Sequence, residues 1–316
     1  MKKDITRRSF LKNLVLGGAM IGASRSFSAP LKSSNPSAVP DSHQILGEEA
    51  DLVVAEKGEP AALVQAALAA FGGIEKFVKK GDYVVLKPNI SWARTPAQAC
   101  NTNPELVRTI VKLCLDAGAG KVEVWEHTCD EFSLCFSLSQ VKAAAEKAGA
   151  KVFSGHLKSA YRNMTLPQAK SLKQADILKS VLDCDVLINI PVAKVHYATG
   201  YTFSMKNFIG VNWSMSGVHR TAMGLHQGIA DISTLIKPSL IITDAIKALA
   251  SNGPKGPGKI LDIGQVIVSV NPVAMDSYCA TLFGKKASDI LFIRYAYNLG
   301  LGEMDINKIK VKSITA

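Results

Sequence analysis

The sequence has no run of five or six like charges, and this absence bears on the class of partner. Its formal net charge of +11 would by itself suggest a nucleic-acid-binding surface. However, residues 1–29 hold six basic side chains against one acid, so about +6 remains on the rest of the chain, without clusters. Neither a basic strand interleaved with aromatic residues nor a zinc-finger spacing occurs. These absences argue against nucleic acid as a partner.

The motifs of the commonest exported hydrolases are missing as well. There is no G-x-S-x-G elbow and no H-E-x-x-H helix, and the glycine-rich residues 251–258 match neither a P-loop nor G-x-G-x-x-G. The six cysteines never form C-x-x-C, and Cys114, Cys184 and Cys279 lie in apolar segments typical of a core. The other three are too few for an iron–sulfur cluster in a monomer, which leaves a cluster shared across a homodimer as the alternative.

The N-terminus carries a targeting pattern. Residues 6–12 read T-R-R-S-F-L-K and precede an uncharged apolar stretch at 14–23, as in twin-arginine signal peptides. That stretch is about half the roughly 20 residues that a membrane-spanning helix needs, so no stable membrane span is expected. We therefore predict a signal peptide at 1–29, a flexible Ser/Pro-rich linker at 30–44, and export of the folded protein through the twin-arginine translocase to a periplasmic or other extracytoplasmic location.

Residues 45–316 read as a single α/β domain, because short β-branched runs alternate with Ala/Leu-rich segments of helical period. Strands are predicted at 51–54, 83–86, 121–125, 151–153, 186–190, 240–243 and 265–270, and helices at 60–71, 104–117, 139–148, 176–182, 228–236, 272–283 and 287–299. The alternation predicts a mostly parallel β-sheet with helices on both faces. Residues 191–227 show neither a helical nor a strand period. Because they contain apolar residues, an ordered active-site loop is favoured over a disordered one.

Polar side chains follow five predicted strands. They include Lys87 and Asn89, His127 and Cys129, Lys194 and His196, Asp244, and Asp276 one turn into the next helix. In open α/β sheets, ligands bind outside the carboxyl ends of the strands, so we expect these five ends to converge on one ligand cleft. Each residue also has a purely structural explanation, such as a helix cap for Asp244 or a satisfied core histidine for His196.

Two chemistries are open to such a cleft. Lys87, Lys194, Lys206 and Arg220, with the backbone amides of residues 251–258, would suit an anionic ligand such as a carboxylate or phosphate. Metal binding is the other, with His127, Cys129 and Cys135 as candidate ligands, although no standard zinc spacing is present.

Several of these segments together carry a family resemblance. L-K-P-N at 86–89, K-V-H at 194–196, M-K-N-F-I-G at 205–210, T-D-A at 243–245 and V-A-M-D at 273–276 resemble the bacterial and archaeal family called domain of unknown function 362, from about residue 51 to 302. The resemblance implies an α/β fold, frequent twin-arginine signals and, in some members, iron–sulfur modules, but no established reaction. This chain lacks the ferredoxin-type C-x-x-C segment of those members. Residues 196–206 are also similar, as an analogy, to the nickel-dependent lactate racemase family, in which a His and a Lys hold a metal-bearing cofactor.

Two functional hypotheses follow. The first is an exported enzyme, redox or isomerising, that binds an anionic small molecule or cofactor. In it, Lys87, His196 and Lys206 position the anion, Asp244 or Asp276 serves as base or metal ligand, and Asn89 and Asn207 orient the ligand. The second is a non-catalytic protein that carries an iron–sulfur cluster or divalent metal on His127, Cys129 and Cys135, for electron transfer or for maturation of a partner.

Overall fold

The computed structural model describes residues 50–316 of the chain. The predicted signal peptide at 1–29, the linker at 30–44 and the first residues of the predicted domain lie outside the described residues, so they stay predictions. Among residues 50–316, no helix combines the length and the apolar character that crossing a membrane requires.

Residues 50–316 contain twelve strands, and eight of them form one sheet in the order β12-β1-β11-β10-β7-β2-β3-β4. The strands are β1 Leu52–Glu56, β2 Tyr83–Pro88, β3 Lys121–Glu126, β4 Lys151–Ser154, β5 Tyr161–Thr165, β6 Gln174–Leu178, β7 Val186–Ile190, β8 Lys194–His196, β9 Gly200–Thr202, β10 Leu240–Leu249, β11 Ile260–Ser269 and β12 Val311–Thr315. Every strand of the large sheet runs in one direction except β11, which is antiparallel to both β1 and β10. The prediction of a mostly parallel sheet is therefore confirmed.

The α-helices of the described residues are α1 Pro60–Ala70, α2 Pro104–Asp116, α3 Phe132–Leu138, α4 Val141–Lys147, α5 Lys179–Asp183, α6 Ser204–Asn207, α7 Met215–His219, α8 Gly224–Leu235, α9 Pro272–Thr281 and α10 Leu291–Asn298. Neighbouring residues of each central strand point to opposite faces, so Val84 packs in one hydrophobic core and Val85 in the other. Helices α1, α2 and α4 bury their apolar residues in the first core, and α8, α9 and α10 in the second. Helices thus cover both faces, as predicted.

The order of the strands explains one wrong expectation. The chain returns from β10 to β11 through residues 250–259, and the two strands pair antiparallel from Ile241↔Ser269 to Leu249↔Ile260. The carboxyl end of β11 therefore lies at the opposite edge of the sheet from the ends of β2, β3 and β7. Five strand ends do not converge, because Asn271 and the helix α9 that carries Asp276 start from that opposite edge.

Two segments show how the observed elements compare with the predicted ones. The predicted helix at 176–182 begins as β6, which pairs antiparallel with β5, and becomes helical only at Lys179. Residues 191–227 are ordered, as expected, and consist of short pieces: the hairpin β8–β9, the four-residue helix α6, a 3₁₀ turn at Phe208–Val211 and the helix α7. Such short elements leave no sustained period in the sequence, since none exceeds five residues.

Candidate functional site

A cavity of about 560 Å³ lies at the carboxyl ends of β2 and β3, and residues from 191–227 form much of its wall. Eight of the twelve site residues predicted from the sequence line it, namely Lys87, Asn89, Cys129, Lys194, His196, Lys206, Asn207 and Arg220. His127, Cys135, Asp244 and Asp276 are not among its lining residues. The cavity has the size of a site for a small organic molecule.

A buried ion pair lies at the base of the cavity. Lys87 at the end of β2 faces Glu126 at the end of β3, with 2.9 Å between Nζ and Oε1, and both side chains are almost fully buried. The second carboxylate oxygen, Oε2, accepts a hydrogen bond from the backbone N–H of Ile90 at 2.7 Å. Lys87 Nζ also donates to the carbonyl of Pro88 at 2.6 Å. Glu126 therefore compensates the charge of Lys87, which leaves Lys87 little free charge for a ligand.

Asparagine side chains join this ion pair to the next strand. Lys194 Nζ in β8 donates to Asn89 Oδ1 at 2.9 Å, and Asn89 Nδ2 donates to Asn207 Oδ1 at 3.0 Å. Asn207 Nδ2 then donates to the carbonyl of Lys87 at 3.0 Å. We call Lys87, Asn89, Glu126, Lys194 and Asn207 the floor of the cavity. The K-P-N, K-V-H and K-N segments are thus parts of one hydrogen-bonded network.

Lys206 is the one lysine of the cavity whose ammonium has no hydrogen-bond or ion-pair partner within residues 50–316. Burial lowers its pKa from 10.5 to about 8. Its positive charge in turn lowers the pKa of His219 and of His226, after the effect of burial on each. An uncompensated cation therefore dominates the electrostatics of the cavity.

Two further basic groups of the cavity have strongly altered pKa values. Burial, helped by the charge of Lys206, lowers the pKa of Lys194 to about 7. For His196, burial together with the charges of Lys206 and Lys194 lowers the pKa to about 2, so its imidazole is neutral. His196 Nδ1 accepts a hydrogen bond from the backbone N–H of Ala198 at 3.1 Å, which places the proton of the neutral ring on Nε2. His196 is therefore a hydrogen-bond donor and not a cation.

Asp276, in α9, holds the short helix α6 in place. Its carboxylate accepts hydrogen bonds from the backbone N–H groups of Ser204 at 2.7 Å and Met205 at 3.1 Å, at the start of the helix that carries Lys206 and Asn207. Burial raises the pKa of Asp276 to about 7. In this position the carboxylate orients the helix that bears two cavity residues and does not itself face the cavity.

Asp244 makes a similar backbone contact in another place. It lies inside β10, beyond the end of β7, and accepts hydrogen bonds from the N–H groups of Asn103 at 2.8 Å and Ile246 at 3.1 Å. Burial raises its pKa to about 6. Asn103 caps the start of α2, so Asp244 joins that helix to the sheet next to the floor.

The structure does not bring the three predicted metal ligands together. The His127 ring packs against Trp213 and His156, with ring centroids 5.5 and 4.6 Å apart, while Cys135 is buried in α3 and Cys129 is exposed at the cavity. Between residues 50 and 316, no three His, Cys, Asp or Glu side chains are grouped so that they could hold a metal ion. The described side chains thus do not fit an iron–sulfur cluster or a divalent metal at these positions.

The glycine-rich loop at 251–258 forms one side of the cavity mouth. A Cβ atom on Gly253 would lie 2.0 Å from the carbonyl oxygen of Val195, so only glycine lets the loop approach β8 this closely. Gly253 accepts a hydrogen bond from the N–H of Tyr197 at 3.2 Å, and Pro254 lines the cavity. The loop was predicted to offer amides to an anion, and its described contacts support β8 instead.

Sequence reasoning missed several residues of the site. Glu126 is the last residue of β3, and its local sequence gives no sign that it pairs with Lys87 of the neighbouring strand. Asn189 donates to the carbonyl of Ser204 at 2.9 Å and accepts from Asn207 Nδ2 at 2.8 Å; its signal was a polar residue in the buried strand V-L-I-N-I. We call the exposed or partly exposed residues Met215, Ser216, His219 and Arg220, which line the cavity from α7 onward, the outer wall.

Known proteins resemble this chain to different extents. A thylakoid-associated protein of Synechocystis is 26% identical over 231 residues, which cover 70% of this chain and 69% of the relative. Among solved structures, the lactate racemase apoprotein from Thermoanaerobacterium thermosaccharolyticum has a TM-score of 0.45 at 13% identity, covering 70% of this chain and 54% of that one. A protein from Thermotoga maritima has a TM-score of 0.36 at 13% identity, with coverages of 61% and 52%. The chain spans about half the length of these two structures.

The family model described as "Domain of unknown function (DUF362)" matches residues 84–281, which is more than half of the chain. This span contains all the residues of the floor, Lys206 and the outer wall. The chain belongs to the family described as domain of unknown function 362.

Proposed function

We propose that this protein is an enzyme that binds a small organic anion, a carboxylate or phosphate, in the cavity and isomerises it by proton transfer. The observation that carries the proposal is the ammonium group of Lys206, which lies at the cavity without a partner among residues 50–316. A partly buried cation without a counter-ion is unfavourable, and a bound anion would compensate it.

The other groups of the cavity fit this ligand. Arg220 and His219 line the outer wall, and His196 offers the N–H of a neutral ring. Glu126 is the carboxylate of the floor, and Lys87 already compensates it. The remaining charge is therefore positive, which favours an anion over a cation.

Proton transfer is the reaction that these groups serve best. Burial brings the pKa of Lys206 to about 8 and that of Lys194 to about 7, so both amines can lose and regain a proton near neutral pH. A base whose pKa is close to the working pH is the usual requirement for moving a proton between carbon atoms. The two lysines divide these roles: Lys206 stays protonated and holds the anion, and we assign the transfer to Lys194, which has the lower pKa and is oriented by its hydrogen bonds to Asn89 and the carbonyl of Cys100.

Export belongs to the same proposal. It rests on residues 6–12, and the test is cell fractionation of the full chain beside a variant with both Arg7 and Arg8 changed to Lys. We expect the wild-type protein outside the cytoplasm and the variant inside it. Equal distribution of the two would remove the twin-arginine route from the proposal.

The binding test compares Lys206→Met with Lys112→Met, a control at an exposed lysine of α2. Calorimetric titration with sulfate and with acetate should give at least tenfold weaker affinity for Lys206→Met and no change for Lys112→Met. Thermal unfolding of each variant verifies the fold. Unchanged affinity in a folded Lys206→Met variant would rule out the assignment of Lys206.

A second readout uses the cysteines. Cys129 lines the cavity and is the exposed cysteine of the six, so iodoacetamide should label it first. Bound sulfate should slow this labelling in the wild type, because the ligand shares the cavity with the thiol. In Lys206→Met, sulfate should give no protection. Mass spectrometry of the Cys129 peptide measures both rates and places the anion in the cavity independently of the titration.

A further inference from the structure

The ring of Tyr197 is held at the cavity although it is 84% exposed. Tyr197 follows β8 directly, and its backbone N–H donates to the carbonyl of Gly253 at 3.2 Å. The ring stacks on that of His196, with centroids 5.1 Å apart and planes at 24°. One face of the ring is thus supported by the cavity wall, while most of the side chain remains open to solvent.

Trp92 lies beside the same loop as Tyr197. The ammonium of Lys255 lies 5.4 Å from the centroid of the Trp92 ring, and Lys255 is two residues from Gly253, which holds Tyr197. Pro254 lies between Gly253 and Lys255 in the chain, and it lines the cavity together with Trp92 and Tyr197. Two flat aromatic side chains and a proline ring therefore lie along one side of the mouth.

Charge and exposure divide the cavity into two ends. Lys194 and Asn207 at the floor are 1% and 3% exposed, whereas Tyr197 at the mouth is almost fully exposed. The volume of about 560 Å³ lies in the range of sites that hold drug-sized ligands, and an acetate or phosphate ion alone would leave most of it filled with water. A ligand that fills the cavity therefore has a second part that reaches from the cations towards the rings.

We propose that the ligand is a ring-bearing anion, whose carboxylate or phosphate binds at Lys206 and whose aromatic ring stacks on the open face of Tyr197. This inference rests on the proposed function, since it takes the anion site as given. A tyrosine that is already oriented by stacking on His196 and by its backbone hydrogen bond loses little conformational freedom when a ring binds it. Stacking of a planar ring then adds affinity without demanding a particular pattern of ring substituents.

Matched pairs of probes test this by calorimetric titration of the protein. Adenosine monophosphate is compared with ribose 5-phosphate, and benzoate with acetate, so that each pair shares its anion and differs in the ring. We expect the ring-bearing member of at least one pair to bind on the order of tenfold more tightly. The pair with the larger difference tells whether the anion is a phosphate or a carboxylate.

Two variants assign the difference to Tyr197. Tyr197→Ala should remove the preference for the ring-bearing probe, and Tyr197→Phe should keep it, because phenylalanine retains the ring face. Both changes lie at an exposed position, so neither should alter unfolding by urea. Equal affinities within both pairs in the wild type, or an unchanged preference in Tyr197→Ala, would overturn the inference.

The failure of this inference differs from a failure of the proposed function. If ribose 5-phosphate and acetate bind through Lys206 but no ring adds affinity, the anion site stands and the inference is wrong. If Lys206→Met leaves the affinity of the ring-free probes unchanged, the anion site itself is wrong, and the inference falls with it.

Discussion

The floor and the outer wall of the cavity are built in opposite ways. On the floor, the ion pair Lys87–Glu126 and the asparagine bridges satisfy buried polar groups with one another. On the outer wall, His219 and Arg220 are exposed, and the Arg220 guanidinium donates a hydrogen bond to Ser216 Oγ at 3.2 Å. The floor is therefore set before any ligand arrives and contributes to folding, whereas the wall can change with the ligand at little cost to the fold.

The largest effect that separates the two regions should come from Glu126→Ala. The change leaves the ammonium of Lys87 buried without its carboxylate, and we expect a loss of about 3–5 kcal/mol in the free energy of unfolding. Urea unfolding measures it. The control is Glu146→Ala in α4, which removes a surface pair with Lys142 at 3.9 Å and should cost about 1 kcal/mol or less. Similar losses in both variants would mean that the floor is no more important to stability than the surface.

A pair of glycines sharpens the same contrast. A Cβ atom on Gly210 would lie 2.6 Å from Glu126 Oε1 and 3.2 Å from Lys87 Nζ, so Gly210→Ala must push the ion pair apart. We expect it to lower the free energy of unfolding by about 1–3 kcal/mol.

Gly217→Ala is the matched change on the outer wall. The new Cβ atom would meet the hydroxyl of Ser214 at 2.6 Å, so this exposed side chain would have to rotate and give up the hydrogen bond that it accepts from the N–H of Gly217. Loss of this cap, offset in part by the higher helix propensity of alanine, should lower the free energy of unfolding by urea by about 1 kcal/mol or less. A larger loss for Gly217→Ala than for Gly210→Ala would contradict the division into floor and wall.

The sequence was enough to place most of the cavity. Strands β2 and β7 are each a short buried run that polar residues follow. Because ligands bind at the carboxyl ends of such strands, the sequence predicts one shared site for Lys87, Asn89, Lys194 and His196, and all four line the cavity. Lys206 and Asn207 were found through their irregular, polar-rich segment, since segments of this length are seldom without a role.

The remaining roles depend on contacts between residues far apart in the chain. Asp276 is 72 residues from Ser204, and Asp244 is 141 residues from Asn103, so their use as backbone acceptors has no local signal. The direction of β11 was equally hidden, because its run Val266–Val268 is buried on both faces and therefore reads like a strand of a parallel sheet. Long-range pairing therefore decides which acidic residues face a ligand and which hold the fold.

Lys206 belongs neither to the floor nor to the outer wall, and a change of pH is the mildest way to alter the charge of its side chain. Burial lowers its pKa from 10.5 to about 8, so the amine is charged below that pH and neutral above it. If this charge holds the anion, the affinity for sulfate, which does not titrate in this range, should fall about tenfold from pH 7 to pH 9. The Lys206→Arg variant keeps its charge over the whole range, so its affinity for sulfate should fall by about threefold or less. We assign this smaller fall to Lys194, whose pKa is about 7. Calorimetric titration of both proteins at half-unit steps of pH measures the two slopes. Equal slopes would move the titrating cation from Lys206 to the floor, and the floor would then bind ligand as well as support the fold.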